Sequence, residues 1–470
     1  MKKHFDDRYA LVFRSILSLI LLAAAVSVFS AAAPILGDSS AASRRPGSTA
    51  TESSRYVGPG GCAATSCHGS VKPRADSRIF QNEYSIWVVQ DKHSRAYTAL
   101  TSPIGERIGR ILGIGKSEEA PKCLACHALD VPPDARAKTF DLSDGVSCES
   151  CHGPASAWLG PHTTRGWTHA QSVAAGMYDT RDLVQRTEKC LTCHLGTQEK
   201  FVDHEMLAAG HPDLYFELDS FSAVMPRHWK TPRESAPGVP EAGADDPCYG
   251  VRDWATGQAV QLRAALDRVA WRAHGPNWPE FSELQCFSCH HDLTSPEQSW
   301  RQERGYPGRR PGDPPWNASR YAVFGILAHE VDGATATELD ARMTELAKLM
   351  SVLNPDRDAV AAAAASARQD ADRLVARIQS QPYDHAMTAR LLIEISGHSE
   401  EISRQGERAA EQAAMALDSL YIASSRNSAP ANAAEIRAAI NGLFQLLENP
   451  SAYDPNTFAA QMTKLNALLR

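Results

Sequence analysis

The sequence predicts a mainly α-helical protein in two parts: a Cys- and His-rich region of loops and short helices, followed by an α-helical bundle. Three observations support this prediction. Ten of the eleven cysteines form five pairs, and each pair is followed directly by His. Pro and Gly interrupt the chain from about residue 56 to residue 316, so long periodic segments are few. Beyond about residue 310 cysteine is absent, Ala becomes frequent and apolar residues recur three and four positions apart.

The five Cys-His motifs predict a covalently bound cofactor. Four have the spacing C-x-x-C-H, and the first has four residues between its cysteines. This pattern is the signature of haem c attachment: two thiols bind the haem vinyl groups, and the imidazole binds the iron. Cysteine pairs are also typical of structural zinc, but zinc does not require His at that fixed position. We therefore expect five covalent haem c groups, bound by Cys62, Cys67 and His68; Cys123, Cys126 and His127; Cys148, Cys151 and His152; Cys190, Cys193 and His194; and Cys286, Cys289 and His290.

The N-terminal segment is typical of a targeting signal. Basic residues precede an apolar run from Ile16 to Phe29, and small residues at 30–33 suit cleavage. Residues 1–36 are therefore predicted to be a signal peptide for the general secretion route, since no twin arginine is present. The alternative is an uncleaved membrane anchor, because Ile16–Leu36 is about 20 apolar or small residues long. Either alternative places the haem region in the periplasm or on the extracytoplasmic face, after a Ser-rich linker at 37–55.

The charge balance excludes one class of partner. The formal net charge is −7 with neutral His, and the chain has no basic footprint for nucleic acid. Such a charge favours selective encounter with redox partner proteins, among them a membrane quinol-linked complex.

Histidines outside the motifs are candidates for the sixth ligand of each iron. His93 lies in a predicted helix from Ile79 to Leu100, and His162 follows the third motif by ten residues. His204 and His211 share one face if their helix continues to His211, where Pro212 would end it. His228 is the fifth candidate. His169, His274 and His291 are further, less favoured candidates.

A pentahaem domain is predicted over residues 56–316. Its last part includes an amphipathic helix, Gln258–Arg272, with Val260, Leu262, Leu266 and Val269 as apolar positions. Cys248 is outside every motif, and either a free thiol or an intermolecular disulfide would be consistent with an oxidising compartment.

Residues 317–470 are predicted to form an antiparallel bundle of about five to seven helices. Asn354 and Pro355 suit the start of a helix that includes Val360 and Ile378. Gly397 is expected to end the next helix, and Asp454-Pro455 to begin the last. The predicted role is packing, or homo-oligomer or hetero-assembly through these helices. His329, His385 and His398, which lie here, are not expected to be ligands.

At DGVSCESCHGPASAWLGPH, residues 144–162, the chain resembles the cytochrome c-554 family of multihaem cytochromes. That family is related in its haem arrangement to hydroxylamine oxidoreductase and pentahaem nitrite reductases. The resemblance implies that His93 is the sixth ligand of the third haem and His162 that of the first. It also implies that the haem at His127 is the one without a protein sixth ligand. The longer first motif, the fifth motif and the helical tail depart from the tetrahaem pattern, and the C-x-x-C-K motif usual in the nitrite reductases is absent.

Three functions are compatible with these features. The first is a periplasmic electron carrier that relays electrons through stacked, mostly bis-His haems. The second is a redox enzyme that acts on a small nitrogen or sulfur species, of the hydroxylamine or nitrite type, at one five-coordinate haem, with His127 marking that open site. The third is a haem subunit of a larger respiratory assembly that docks through the helical tail. The carrier is the favoured hypothesis, and fold resemblance alone does not assign chemistry.

Overall fold

The computed structural model describes residues 54–74, 77, 79–230, 248, 250–290, 313–425 and 430–470. The predicted signal or anchor, the linker up to residue 53, the loop at 231–247 and His291 lie outside these residues. Among the described helices, none combines the length and apolarity that a membrane span requires.

The protein is mainly α-helical, as predicted. Two isolated bridges, Tyr56 with Arg136 and Leu284 with Trp316, are the β-type pairings in the described part of the chain. The α-helices are α1 (Glu83–Gln90), α2 (Ala96–Leu100), α3 (Pro103–Leu112), α4 (Pro121–His127), α5 (Cys148–His152), α6 (His169–Ala174), α7 (Leu183–His194), α8 (His204–Ala209), α9 (Leu218–Val224), α10 (Val251–Ala273), α11 (Ser319–Ala322), α12 (Phe324–Met350), α13 (Arg357–Ser380), α14 (His385–Gly397), α15 (Ser399–Arg404), α16 (Glu407–Ser425), α17 (Ala433–Leu447) and α18 (Pro455–Leu469).

Short 3₁₀ helices connect many of these elements. They are Pro59–Cys62, Lys92–Arg95, Ser117–Glu119, Pro133–Ala135, Leu142–Asp144, Pro161–Thr163, Phe281–Glu283, Cys286–Ser288 and Pro450–Ala452. The motif region thus consists of short helices and loops, whereas regular helices of 13 residues or more dominate from α10 onward.

Two helix predictions in the motif region were wrong. The predicted helix Ile79–Leu100 is interrupted at Asp91, whose side chain accepts a hydrogen bond from the His93 backbone N–H and so caps the next turn. The helix of His204 ends at Ala209, because Gly210 adopts the left-handed conformation with φ 107°. His204 and His211 are therefore not on one continuous helical face.

The long helix α10 is buried around most of its circumference. Its predicted apolar positions, among them Val260 and Leu266, are buried, and so are Thr256, Gln258 and Gln261 on the other faces. The helix packs against α7, which ends in the fourth motif, and against α13 of the tail. One continuous apolar core extends from Leu191 to Leu465. The domain division at residue 316 stays a prediction, and this core lies on both sides of it.

The tail helices begin and end close to the predicted positions. Asp454 caps α18 with Pro455 at its first position, and α14 ends at Gly397. One expectation was wrong: α13 is capped by Asp356, which accepts a hydrogen bond from the Ala359 backbone N–H, rather than by Asn354. Helix α12 has a non-helical residue, Asp332, in its interior.

Candidate haem-binding site

The motifs fold so that each His lies beside its cysteines. His127, His152 and His194 are the last residues of α4, α5 and α7. In the fifth motif the His290 backbone N–H donates to the Cys286 carbonyl at 2.9 Å. The longer first motif achieves the same result through an extra turn, because the His68 backbone N–H donates to the Cys62 carbonyl at 3.3 Å.

Four motif histidines face another imidazole at one characteristic distance. Two imidazoles that bind one metal ion from opposite sides, at about 2.0–2.1 Å each, have ring centres roughly 6 Å apart. The observed separations of ring centroids are 6.2 Å for His68 and His162, 6.2 Å for His194 and His93, 6.3 Å for His127 and His211, and 6.4 Å for His290 and His204. The spacing therefore suits an iron between each pair.

The remaining motif histidine interacts with the remaining candidate. Burial, and then the charge of His228, lowers the pKa of His152 to about 4. Burial, and then the charge of His93, likewise lowers the pKa of His194 to about 4. Both imidazoles are therefore neutral at pH 7, which is the form that binds a metal.

Six of these ten histidines use Nδ1 for a hydrogen bond, which leaves Nε2 for a metal. Two bond to carboxylates: His68 to Glu83 at 2.9 Å and His93 to Asp91 at 3.0 Å. The pKa of each of these two imidazoles is raised, first by that hydrogen bond. Four bond to backbone carbonyls: His127 to Ala96, His162 to Trp158, His211 to Pro212 and His228 to Pro226.

The histidines that were less favoured, or that were not expected to be ligands, have other partners. Nε2 of His169 bonds to Asp179 at 2.8 Å, and Nε2 of His329 bonds to Asp340 at 2.7 Å. His274 is exposed and its Nδ1 is 3.9 Å from Asp358. Nδ1 of His385 is 3.3 Å from the sulfur of the fully buried Cys248. None of these four lies in an imidazole pair among the described residues.

Two expectations from the resemblance differ from the structure. His93 faces His194 of the fourth motif rather than His152 of the third. His127, expected to lack a partner, faces His211. His211 follows the left-handed Gly210, and His93 follows the helix break at Asp91, so neither histidine lies on the helix that precedes it.

Thiols of different motifs also lie together. The thiols of Cys62 and Cys148 affect each other's pKa, and so do those of Cys126 and Cys193. Cys151 interacts electrostatically with Cys190 and Cys193. Motifs one and three, three and four, and four and two are therefore neighbours. Within the described residues no three His, Cys, Asp or Glu side chains converge as a metal-binding group.

Sequence reasoning missed the role of Glu149, inside the third motif. This carboxylate is 2% exposed and accepts hydrogen bonds from the backbone N–H groups of Val57 at 2.9 Å, Gly58 at 2.7 Å and Ala155 at 2.7 Å. It joins the start of the haem region to the third motif. The sequence did offer a signal: haem attachment does not require a charged residue at this position, so a glutamate there indicates another role.

The glycines on either side of this motif are also structural. Gly145 has φ 70°, and a Cβ there would lie 3.0 Å from the His93 carbonyl oxygen. Gly153 has φ 76°, and a Cβ would lie 3.2 Å from the Gly176 carbonyl oxygen. Both positions therefore favour glycine.

Comparison with known proteins finds one family match within the motif region. Residues 61–153 match the family model described as cytochrome c554 and c-prime. This segment is similar to that family. The match covers the first three motifs and includes Glu149 and both flanking glycines. No curated protein and no solved structure shows significant similarity to the chain.

The family match supports a haem c electron-transfer role for the matched segment. Haem c supplies an iron that changes by one electron between its ferric and ferrous forms. The residues present fit that group, because each motif offers two thiols and an imidazole. The remaining task of the polypeptide is to position these ligands and set their hydrogen bonds and burial.

Proposed function

We propose that the chain is an exported electron-transfer protein with five haem c groups, each held between two imidazoles. The observation that supports this most directly is the pairing of proximal and distal histidines at 6.2–6.4 Å in four motifs. His228 is the histidine whose charge most affects His152, and on that basis we assign it to the fifth pair. With both axial positions filled by protein, iron can exchange electrons without binding a substrate.

The neighbouring motifs suggest an order for the electron path. The thiol contacts favour the sequence one, three, four, two. The fifth haem would follow the second, because Asp213, two residues after His211, pairs with Arg408, whose guanidinium also donates to the Ser282 carbonyl at 3.2 Å, just before the fifth motif. The first and fifth haems would then be the points of entry and exit for electrons.

The enzyme hypothesis required an open iron at His127. The position of His211 opposite that imidazole favours a carrier instead. The assembly hypothesis remains compatible with the proposal, since a carrier could also dock through the tail. Export, redox partner proteins and a quinol-linked donor belong to the proposal as well.

The test is electron paramagnetic resonance of the oxidised, haem-quantified protein, before and after addition of hydroxylamine or nitrite. We expect five haems per chain, only low-spin iron and no change on addition. A high-spin signal that shifts with either compound would overturn the carrier and support the enzyme.

A further inference from the structure

Four arginines surround a cavity where the motif region meets the tail. Arg268 and Arg272 lie on α10, Arg320 on α11 and Arg408 on α16. The empty space among the lining residues is about 310 Å³, including the part open to solvent. Nothing in the predicted chemistry of the motifs accounts for this concentration of guanidinium groups.

The carboxylates in contact do not match the arginines in number. Glu283, 1% exposed, pairs with both Arg268 and Arg272, while Asp213 pairs with Arg408. Two further carboxyls, Glu407 and Glu411, lie near Arg408. Burial raises the pKa of both carboxyls, to about 7 for Glu411, where the charge of Glu407 adds to the effect, so Glu411 compensates the arginines only in part at neutral pH.

Among the described residues, Arg320 is the arginine of this cavity that has no carboxylate at ion-pair distance. It is 8% exposed, and its Nη2 donates to the Leu214 carbonyl at 3.2 Å. Its Nε has no hydrogen-bond partner, and no described carboxylate lies within ion-pair distance of its guanidinium. A buried guanidinium with no carboxylate at ion-pair distance is costly, and Arg320 has only the more distant charges of Asp213 and Glu283 to compensate it. Such a group indicates a missing anion.

The cavity lies among the residues next to haem ligands. Leu195 follows His194, and Leu214 is three residues after His211. Val202, two residues before His204, accepts a hydrogen bond from Arg272 at 2.8 Å. The fifth motif has the most direct links to the cavity. Arg272 donates a hydrogen bond to Ser282 at 2.8 Å, and Arg408 interacts electrostatically with Cys286.

We propose that this cavity is a carboxylate site that receives the propionates of the haem bound at Cys286 and Cys289, with Arg320 as their main partner. The inference rests on the proposed function, since it requires the fifth haem. A guanidinium binds a carboxylate through two parallel hydrogen bonds, which suits a propionate. The same chemistry would also bind a soluble anion such as phosphate, so the experiment separates the two sources.

The first measurement uses the wild-type holoprotein. Mass spectrometry counts the haems and shows whether Cys286 and Cys289 are modified. A crystal structure then shows what lies against Arg320, and we expect a propionate carboxylate at hydrogen-bond distance, about 3 Å. Replacing chloride by phosphate at constant ionic strength should leave all haem reduction potentials unchanged.

The second measurement compares Arg320→Gln with Arg320→Lys by spectroelectrochemistry. Removing a positive charge near a haem disfavours the added electron, so Arg320→Gln should lower the potential of one haem, and Arg320→Lys should restore it in part. Arg263→Gln is the matched control: this arginine lies on α10, like Arg268 and Arg272, but it pairs with Glu188 and Asp372 away from the cavity.

The outcomes are distinguishable. Five haems with unchanged potentials in Arg320→Gln, or a crystal structure with only water or phosphate at Arg320, would overturn the cavity proposal and leave the carrier intact. A phosphate-dependent potential in the wild type would assign the site to a soluble anion. Four haems, with Cys286 unmodified, would overturn the pentahaem function and the cavity proposal together.

Discussion

The hydrogen bond between His68 and Glu83 should set the reduction potential of the first haem. Glu83 accepts from Nδ1 at 2.9 Å, and the His68 and Glu83 side chains are 25% and 16% exposed. A carboxylate makes the imidazole a stronger donor to iron and stabilises the ferric form more than the ferrous form. Replacing Glu83 by Gln keeps the shape and removes the charge. We therefore expect the potential of one haem to rise.

The size of this shift follows from hydrogen-bond energies. Hydrogen bonds to charged groups contribute about 1.5–3 kcal/mol and neutral ones about 0.5–1.5 kcal/mol. If the difference of about 1 kcal/mol acts only on the ferric form, it corresponds to about 40 mV for a one-electron couple. Partial exposure reduces this value through solvent screening. In addition, Gln can accept from only one of the two donors that Glu83 serves, His68 and the Gln81 backbone N–H.

The assay is a spectroelectrochemical titration of wild type, Glu83→Gln and Glu106→Gln. Glu106 is an exposed carboxylate on α3 and is the control. Low-spin resonance spectra verify that His68 remains a ligand. No shift, a negative shift, or equal shifts in both variants would refute the reasoning.

Other expected outcomes concern the paired histidines and the core. His211→Ala should open one iron, so that a single haem becomes high-spin and binds nitric oxide, whereas His169→Ala should leave all spectra unchanged because its Nε2 is bonded elsewhere. Glu283→Gln should cost about 3–5 kcal/mol, since it leaves two buried arginines uncompensated, and a lower thermal unfolding temperature than wild type is the readout. Leu374→Ala, at a fully buried position of α13, should cost about 2–5 kcal/mol, which denaturant unfolding of the tail's helical signal measures. The raised pKa of Glu411, about 7, means that the folded protein loses stability as pH rises from about 4.5 to about 7; Glu411→Gln should flatten the unfolding temperature over this range, and an unchanged slope would contradict this.

The sequence predicted the helical class because that class depends on residue type and local spacing. The five distal ligands stay predictions, and His93, His162, His204 and His211 each face a motif histidine in the structure. The partners that His93 and His127 face differ from those that the resemblance implied, since pairing depends on how separate segments pack. The helix break at Asp91 could not be predicted, because it depends on the Asp91 side chain capping the next turn. The role of Glu149 was hidden because its partners, Val57 and Gly58, are about ninety residues earlier in the chain.

The arginine cavity could not be predicted for the same reason. Arg268, Arg320 and Arg408 are ordinary charged residues in sequence, and α10, α11 and α16 bring them together only in the folded core. Their burial without enough carboxylates is a tertiary property.

The histidine pairs link distant parts of the chain, and the sequence spans that they enclose overlap. Each pair spans about 75–100 residues, and closing such a span alone costs roughly 4 kcal/mol of chain entropy or more. Four of these spans all include residues 152–162: His68 to His162, His93 to His194, His127 to His211 and His152 to His228. Once one iron has joined its two imidazoles, the others therefore close much shorter effective loops. Histidine binding should consequently be cooperative across the haems. Loss of an imidazole at one iron should weaken histidine binding at the neighbouring irons, because their loops become longer and because the local charge changes.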